Sequence, residues 1–468
     1  MTTSSIQEVI EGRAGSLPVP LAERNWGGWL VAAVATTAGV ASWSFVVGGF
    51  TGYYVDARQG TATMIAGALI GQLLVTLTQV PIVTKYGIET LGTTKPQLGV
   101  KGSLFALIVQ YATLIGWNLV LIIFLGRAVA SVLETMSVIG SGQTGVAAVI
   151  FSLLSVVVIW FVLQRATRGI EYTGAIVATG IIVLGAWMYW LLFSTFGLEA
   201  IFAAAPIAPN EGGRLVNYTT GIEILLVSTL GWWAYMGGMF RMVNSAGKGV
   251  VSSMLSLGFG WAAVGLIGLY SALAVGQADP TIWILQVGGP VAGVLVLVFV
   301  ALANLGSSIV ATNAAALGFG QFSPRTQRLS WNVKLSAALG PMMLVLVLFP
   351  EAFYDNIGTF MAFIGIVLAP IIGVQLVDLY CFRRLDTLHV PSLYWHDERS
   401  RYWYRGGYNP AGLAALLCGS VVYIALLDPI TFVPNSDLFQ YLTASLPAAA
   451  TGGIVYWLGT MGLAEKPV

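Results

Sequence analysis

The chain has 468 residues, 57% of them hydrophobic and 9% charged, with a formal net charge of +1. Soluble domains carry about 25% charged residues, so a soluble enzyme is excluded, and the near-neutral balance offers no electrostatic footprint for nucleic acid. A mean hydropathy of +0.83 identifies an all-α integral membrane protein whose chief partner is the lipid bilayer.

The first 27 residues are polar and include Glu8, Glu11 and Glu23, without the basic-then-apolar order of a signal peptide. They read as a cytoplasmic tail. Apolar segments follow at 28–50, 61–84, 103–133, 145–164, 172–195, 221–242, 251–276, 291–321, 332–349, 357–381, 409–427 and 439–461, about twelve spans in all. They group as five spans in 28–195, five in 196–381, a polar linker at 382–408, and two additional spans with a C-terminal tail in 409–468. With both termini inside, every Lys and Arg except Arg58, Arg127 and Arg214 falls on the cytoplasmic side, the bias that orients a multi-pass protein of the cell membrane.

Span 1 contains Thr36, Thr37, Gly39, Val40 and Ala41. Glycine among small residues lets a helix break at mid-membrane and release carbonyl groups. Span 3 carries Gln110, Trp117 and Asn118 in an aliphatic run. Trp117 is too deep for an interfacial belt and is a natural platform for a flat ring. Span 6 holds Gly231, Trp232, Trp233, Gly237 and Gly238, a second glycine-rich interruption with two more candidate platforms. Paired interruptions in corresponding positions of two halves point to the binding site of an inverted-repeat transporter. Span 8 carries Asn304, Ser307, Ser308, Thr312 and Asn313. The first three recur at i, i+3 and i+4 and share one helix face. A hydroxyl pair beside a free carbonyl suits a small hard cation, and the Asn313 amide suits the edge of a polar ligand.

Cys381 and Cys418 form no metal spacing, and His389 and His396 share one polar loop, so no cofactor and no histidine relay is expected. The linker aromatics Tyr394, Trp395, Tyr402, Trp403 and Tyr404 read as an interfacial belt. No buried carboxylate is expected on spans 1, 3, 6 or 8, which favours sodium over protons as coupling ion.

These residues resemble the nucleobase:cation symporters that include cytosine, allantoin and hydantoin permeases. The likeness runs from Ala22, Glu23 and Arg24 to the last spans. It is carried by Gly99, Gly102 and Ser103 before span 3, by Gly116 and Trp117, and by Asn304, Ser307 and Ser308. Its most specific part is the end of span 10: Pro370, Gly373, Asp378, Leu379 and Tyr380, then Arg383 and Arg384. The resemblance implies a leucine-transporter-like fold of two inverted five-helix repeats plus two extra helices. It also implies a sodium site made by the carbonyls of Thr37, Val40 and Asn304 and the hydroxyls of Ser307 and Ser308. A one-residue shift would substitute Ala303, Gly306 and Ser307, losing a hydroxyl and moving Asn313 off the family's substrate asparagine. The resemblance puts Trp117 and Asn313 at substrate positions; Asn118, Trp232, Trp233 and Ala41 are further candidates for substrate contact. Three departures stand out. Leu121 occupies a position that is often glutamine. Gly238 replaces an aspartate three residues before Arg241. An ungapped match would put Thr229 rather than Trp232 at the stacking position. The expected function is sodium-coupled uptake, by a monomer, of a small planar nitrogenous ring such as a nucleobase, hydantoin or allantoin. An amino-acid symporter of the same fold and a passive channel are the rivals.

Overall fold

The computed structural model describes residues 17–39, 41–165 and 170–461. Residues 1–16, 462–468 and Val40, on which parts of the tail and cation expectations fall, lie outside them. Every predicted segment contains a helix. Span 1 is α1 (Gly28–Gly39) and α2 (Ser42–Thr51), bent by 60° at the break. Spans 2 to 5 are α3 (Ala57–Tyr86), α4 (Ser103–Thr135), α5 (Thr144–Arg165) and α6 (Ile170–Phe196). Span 6 is α7 (Gly213–Leu230) and α8 (Met236–Phe240), joined by a tight turn at Gly231–Tyr235. Spans 7 to 10 are α9 (Ala246–Val275), α10 (Pro280–Gly320), α11 (Trp331–Leu348) and α12 (Ile357–Phe382), and the last two are α13 (Pro410–Leu426) and α14 (Ser445–Thr460).

Among the described residues eight helices are individually long and apolar enough to cross a bilayer, nine with the bent pair. α13 and α14, with 17 and 16 residues, fall short of that length. At about 1.5 Å per residue they measure roughly 25 Å against a hydrocarbon core of about 30 Å.

In a bilayer the lipid is as apolar as the side chains, so helices associate through close packing and polar contacts. Glycine supplies the first. A Cβ on Gly48 would lie 2.0 Å from the Gly265 carbonyl oxygen, and one on Gly268 would lie 2.3 Å from that of Phe45. α2 and α9 therefore touch backbone to backbone. The most extensive other contacts pair α4 with α10, α4 with α5, α3 with α7, and α14 with both α12 and α13.

The breaks are held by polar side chains, because freed backbone groups have no water to turn to. The Gly39 carbonyl, released where α1 stops, accepts the Trp43 indole N–H at 2.6 Å and the Ser44 hydroxyl at 3.3 Å. Asn304 of α10 caps the restart: its Oδ1 accepts the Ser42 N–H at 3.1 Å, and its Nδ2 donates to Ser42 Oγ at 2.8 Å and to the Leu121 carbonyl at 3.2 Å. The second break is stitched by Thr90, from the connection after α3. Its hydroxyl accepts the Gly237 N–H at 2.7 Å and donates to the Trp233 carbonyl at 3.3 Å.

Two expectations fail. Glu223 on α7 is a fully buried carboxylate in span 6. It accepts the Ser445 hydroxyl at 2.6 Å and the N–H groups of Ala444 and Ser445, each at 3.1 Å. It therefore caps the start of α14, where its oxygens meet the first free N–H groups of the helix. The linker aromatics are not a belt facing lipid. The Tyr404 hydroxyl donates to the Pro96 carbonyl at 2.7 Å, Tyr402 is buried, and Lys101 lies over the Trp403 ring at 4.9 Å. Tyr404 and Trp403 thus meet the connection between α3 and α4, while the Tyr402 hydroxyl accepts the His389 N–H at 2.9 Å within the linker. Lys95 of that connection is buried with its amine donating to the Leu393 carbonyl, and burial lowers its pKa to about 8.

Candidate functional site

Trp117 of α4, Trp43 of α2 and Trp232 of the second break meet in the middle of the bundle, each almost fully buried. The Trp43 ring stands edge-on to Trp117 at 5.7 Å and to Trp232 at 5.0 Å, with interplanar angles of 88° and 87°. Tyr235 closes the cluster at 5.2 Å from Trp232, and Phe360 backs Trp117 at 5.4 Å. Edge-to-face geometry aligns positive ring edges with negative faces and fixes each plane. Gly231 makes the approach possible, since a Cβ there would sit 2.6 Å from the Trp117 indole nitrogen. The rings enclose a cleft of ≈ 10 Å³ lined also by Ser228 and Trp261.

Beside this cleft lies a larger chamber of ≈ 280 Å³, lined by Gln110, Ala234, Tyr235, Arg241, Glu89 and Asn313 among others. Tyr235 borders both spaces. Asn313, half-buried, belongs to the chamber rather than the cleft. The far end of the chamber carries an Arg241–Glu89 ion pair at 3.0 Å.

Other predicted residues face elsewhere. Asn118 points away from the rings: its Nδ2 donates to Thr312 Oγ1 at 2.8 Å, joining α4 to α10. The Trp233 indole donates to Gln375 Oε1 at 2.7 Å; that oxygen also accepts Gln79 Nε2 at 2.9 Å. Thr229 turns its hydroxyl back to the Leu225 and Leu226 carbonyls, at 2.8 and 3.0 Å. Trp232, not Thr229, lines the aromatic cleft. Ala41 lines a separate gap of ≈ 20 Å³ with Phe45, Val300 and Ala303. Trp43, Tyr235 and the chamber role of Gln110 escaped the sequence reading. For Trp43 a signal existed, an indole four residues past the last glycine of a broken helix.

Of the oxygens expected to converge between spans 1 and 8, those of Ser307 and Thr37 meet. Ser307 Oγ lies 3.0 Å from the Thr37 carbonyl oxygen across the helix interface. It does not bond back into its own helix, as an ordinary mid-helix serine does. Ser308 Oγ is buried and has no hydrogen-bond partner. A buried hydroxyl without a partner, one residue from Ser307, is an oxygen that a ligand or ion could satisfy. Among the described residues no group of three or more His, Cys, Asp or Glu side chains is placed to hold a metal ion.

The sequence profile of the permeases for cytosine/purines, uracil, thiamine and allantoin matches residues 18–443. A purine-uracil permease of Arabidopsis thaliana is 22% identical over 449 residues, covering 87% of this chain and 70% of that protein. Among solved structures, Mhp1, a nucleobase-cation-symport-1 family transporter in a closed conformation with bromovinylhydantoin bound, superposes with a TM-score of 0.76 at 17% identity over 97% of both chains. A Na⁺-coupled sialic acid symporter superposes with a TM-score of 0.58 at 14% identity, over 97% of this chain and 96% of that one. The leucine-transporter-like fold expected from the sequence is the fold found.

Proposed function

The chain belongs to the family of permeases for cytosine/purines, uracil, thiamine and allantoin, and from that premise we propose that it is a cation-coupled symporter of a small planar nitrogenous ring. It is a transporter in a membrane and not an enzyme; the substrate and the coupling ion are what the proposal adds. The observation that carries it is the aromatic cleft at the meeting of the two helix breaks. Trp117 and Trp232 supply ring faces there, and Trp43 holds both at fixed angles. A nucleobase, hydantoin or allantoin-like ring would stack on these faces from the adjoining chamber, which has the room for it and takes its polar edge.

Sodium is the proposed coupling ion, held by the carbonyls of Thr37, Val40 and Asn304 and the hydroxyls of Ser307 and Ser308. Binding there would pull the end of α1 toward α10 and favour the state that accepts substrate. By linkage the substrate then tightens sodium binding by the same factor. Spans 1, 2, 6 and 7 would rock against spans 3, 4, 8 and 9, two groups drawn from both five-helix units at 28–195 and 196–381, with the linker 382–408 and residues 409–468 outside the repeats. The protein would work as a monomer in the cell membrane with both termini cytoplasmic. Cysteines placed singly at the exposed Glu211 and Glu398, after removal of Cys381 and Cys418, test that orientation. Glu398 should react only from inside and Glu211 only from outside; the reverse pattern rejects it.

Thermal-shift screening of heterocycles with and without sodium tests the function, because a ligand stabilises the state that binds it. Ser308→Ala removes the orphan oxygen and should raise the sodium concentration for half-maximal uptake at least several-fold. Affinity for the ring at saturating sodium should change much less. Superimposable sodium titrations for parent and variant in proteoliposomes, or uptake that follows a proton gradient instead, would reject the sodium site. An amino-acid that stabilises the protein while all heterocycles fail would favour the amino-acid symporter; uptake indifferent to every ion gradient would favour a passive channel.

A further inference from the structure

Two residues that line the chamber beside the aromatic cleft each hold a buried polar atom without a partner. Gln110 Oε1 and the Tyr235 hydroxyl are buried, on residues only 6% and 3% exposed, and neither makes a hydrogen bond. Such an atom costs about 1–3 kcal/mol when left unmet, so two in one cavity mark a place where a ligand supplies the partners. The orientation of the Gln110 amide is fixed by its other end. Its Nε2 donates to the Ala234 carbonyl at 2.8 Å, a group that belongs to the second helix break. The amide oxygen is therefore the end left free, on a residue that lines the chamber, and calls for an N–H. Tyr235 follows Ala234 in the same turn and borders both chamber and cleft. Its ring stands at 87° to Trp43, 6.2 Å away. Its hydroxyl is a donor with no acceptor assigned to it, and calls for a carbonyl. The chamber's ≈ 280 Å³ exceeds the ≈ 10 Å³ of the cleft, so it has the room that the ring stack lacks.

We propose that Gln110 and Tyr235 set the specificity of this carrier, Gln110 Oε1 accepting a ring N–H and the Tyr235 hydroxyl donating to a ring carbonyl, so that its ligands are cyclic imides or ureides bearing both groups. The inference rests on the reading of the protein as a heterocycle symporter. It divides the labour between two compartments: the tryptophans hold any flat ring, and the chamber selects among flat rings by the polarity of one edge. A purely aromatic ring, or one whose edge N–H groups are methylated, satisfies the stack and leaves the two polar atoms unmet. Sites built to hydrogen-bond a polar group reject analogues that lack it far more strongly than apolar pockets reject a missing methylene.

The test measures binding of uracil, 1-methyluracil and 3-methyluracil, and of hydantoin with its N1- and N3-methyl derivatives, to the purified full-length protein in saturating sodium. In the parent, methylating one ring nitrogen should cost at least about tenfold in affinity. In Gln110→Met, which keeps length and removes the acceptor, that penalty should shrink to within about threefold, while the unmethylated ring binds about tenfold more weakly. Tyr235→Phe deletes one oxygen and keeps the ring contacts. It should weaken uracil and hydantoin about five- to tenfold and leave the methylation penalty intact. If the penalty is the same in Gln110→Met as in the parent, and Tyr235→Phe binds as tightly as the parent, ordered water satisfies both atoms and the inference falls alone. If the parent binds none of these rings, the heterocycle reading falls and takes the inference with it. Should Gln110→Met fail to fold, Tyr235→Phe decides: unchanged affinity overturns the proposal.

Discussion

Asp378→Ala is expected to cost about 3–5 kcal/mol of stability, the range for stripping one partner from a buried ion pair. Asp378 is 1% exposed, and its carboxylate joins three parts of the molecule. Oδ2 accepts Arg383 Nε at 2.8 Å and Gln97 Nε2 at 2.5 Å, and Oδ1 accepts the Tyr456 hydroxyl at 2.8 Å. The end of α12, the connection between α3 and α4, and α14 are thereby fastened at one point. Removing the carboxylate leaves the 5%-exposed Arg383 without its counter-charge. A second substitution, Arg383→Met, should recover a large part of the loss, because it removes the stranded charge. Thermal midpoints in a single detergent for the parent, the single and the double variant measure this. An unshifted midpoint in Asp378→Ala would show that the carboxylate bears no such role.

Trp117→Ala and Trp232→Ala should each weaken heterocycle binding by at least about tenfold while the protein still folds. A stacked aromatic contact contributes about 0.5–1.5 kcal/mol beyond burial, and each 1.4 kcal/mol is a decade in affinity. The loss should reach the upper end because Trp43 stands edge-on to both rings. Deleting either also frees Trp43 to tilt into the cleft. Thr229→Ala is the control. Its hydroxyl bonds only to carbonyls of its own helix, so its effect should stay below about threefold. Equal affinity in the parent and both tryptophan variants would remove the cleft from the binding site; a large effect of Thr229→Ala alone would shift the stacking position by one turn. Binding by fluorescence titration on each purified variant distinguishes these results.

The sequence disclosed the helices and their interruptions well, because both are local. A run of apolar residues declares a span, and glycine at its centre declares where the backbone can part. The contact between Ser307 and Thr37 was readable for a related reason: hydroxyl residues clustered on one face of α10 need partners, and the break in α1 offers carbonyls. Residue neighbours on one helix were the weak point. Trp232 and Trp233, like Trp117 and Asn118, are adjacent in sequence but lie about 100° apart around a helix axis. One of each pair lines the cleft. The other, Asn118 or Trp233, ties its helix to the next through Thr312 or Gln375. Which one turns inward depends on the rotation of each helix in the bundle, which no single-helix pattern records. Glu223 was missed for a different reason. Its charge near the start of a span resembles a residue that reaches water, and only the folded chain brings the N-terminus of α14 to it.

The cation site proposed between α1 and α10 would consist of carbonyls and hydroxyls alone, so it would carry no formal charge of its own. A carrier loaded there with one sodium ion has one elementary charge more than the empty carrier. Whichever loaded step crosses the electric field of the membrane is then favoured by an inside-negative voltage, by about 2.3 kcal/mol per 100 mV for a full transit. The empty return step is indifferent to it. If the proposed sodium coupling holds, the cell's resting voltage would be a second source of driving force, able to concentrate an uncharged ring even where sodium is equal on the two sides. Accumulation in proteoliposomes under a potassium diffusion potential alone would reveal it, and its absence would mean that another ion crosses in compensation.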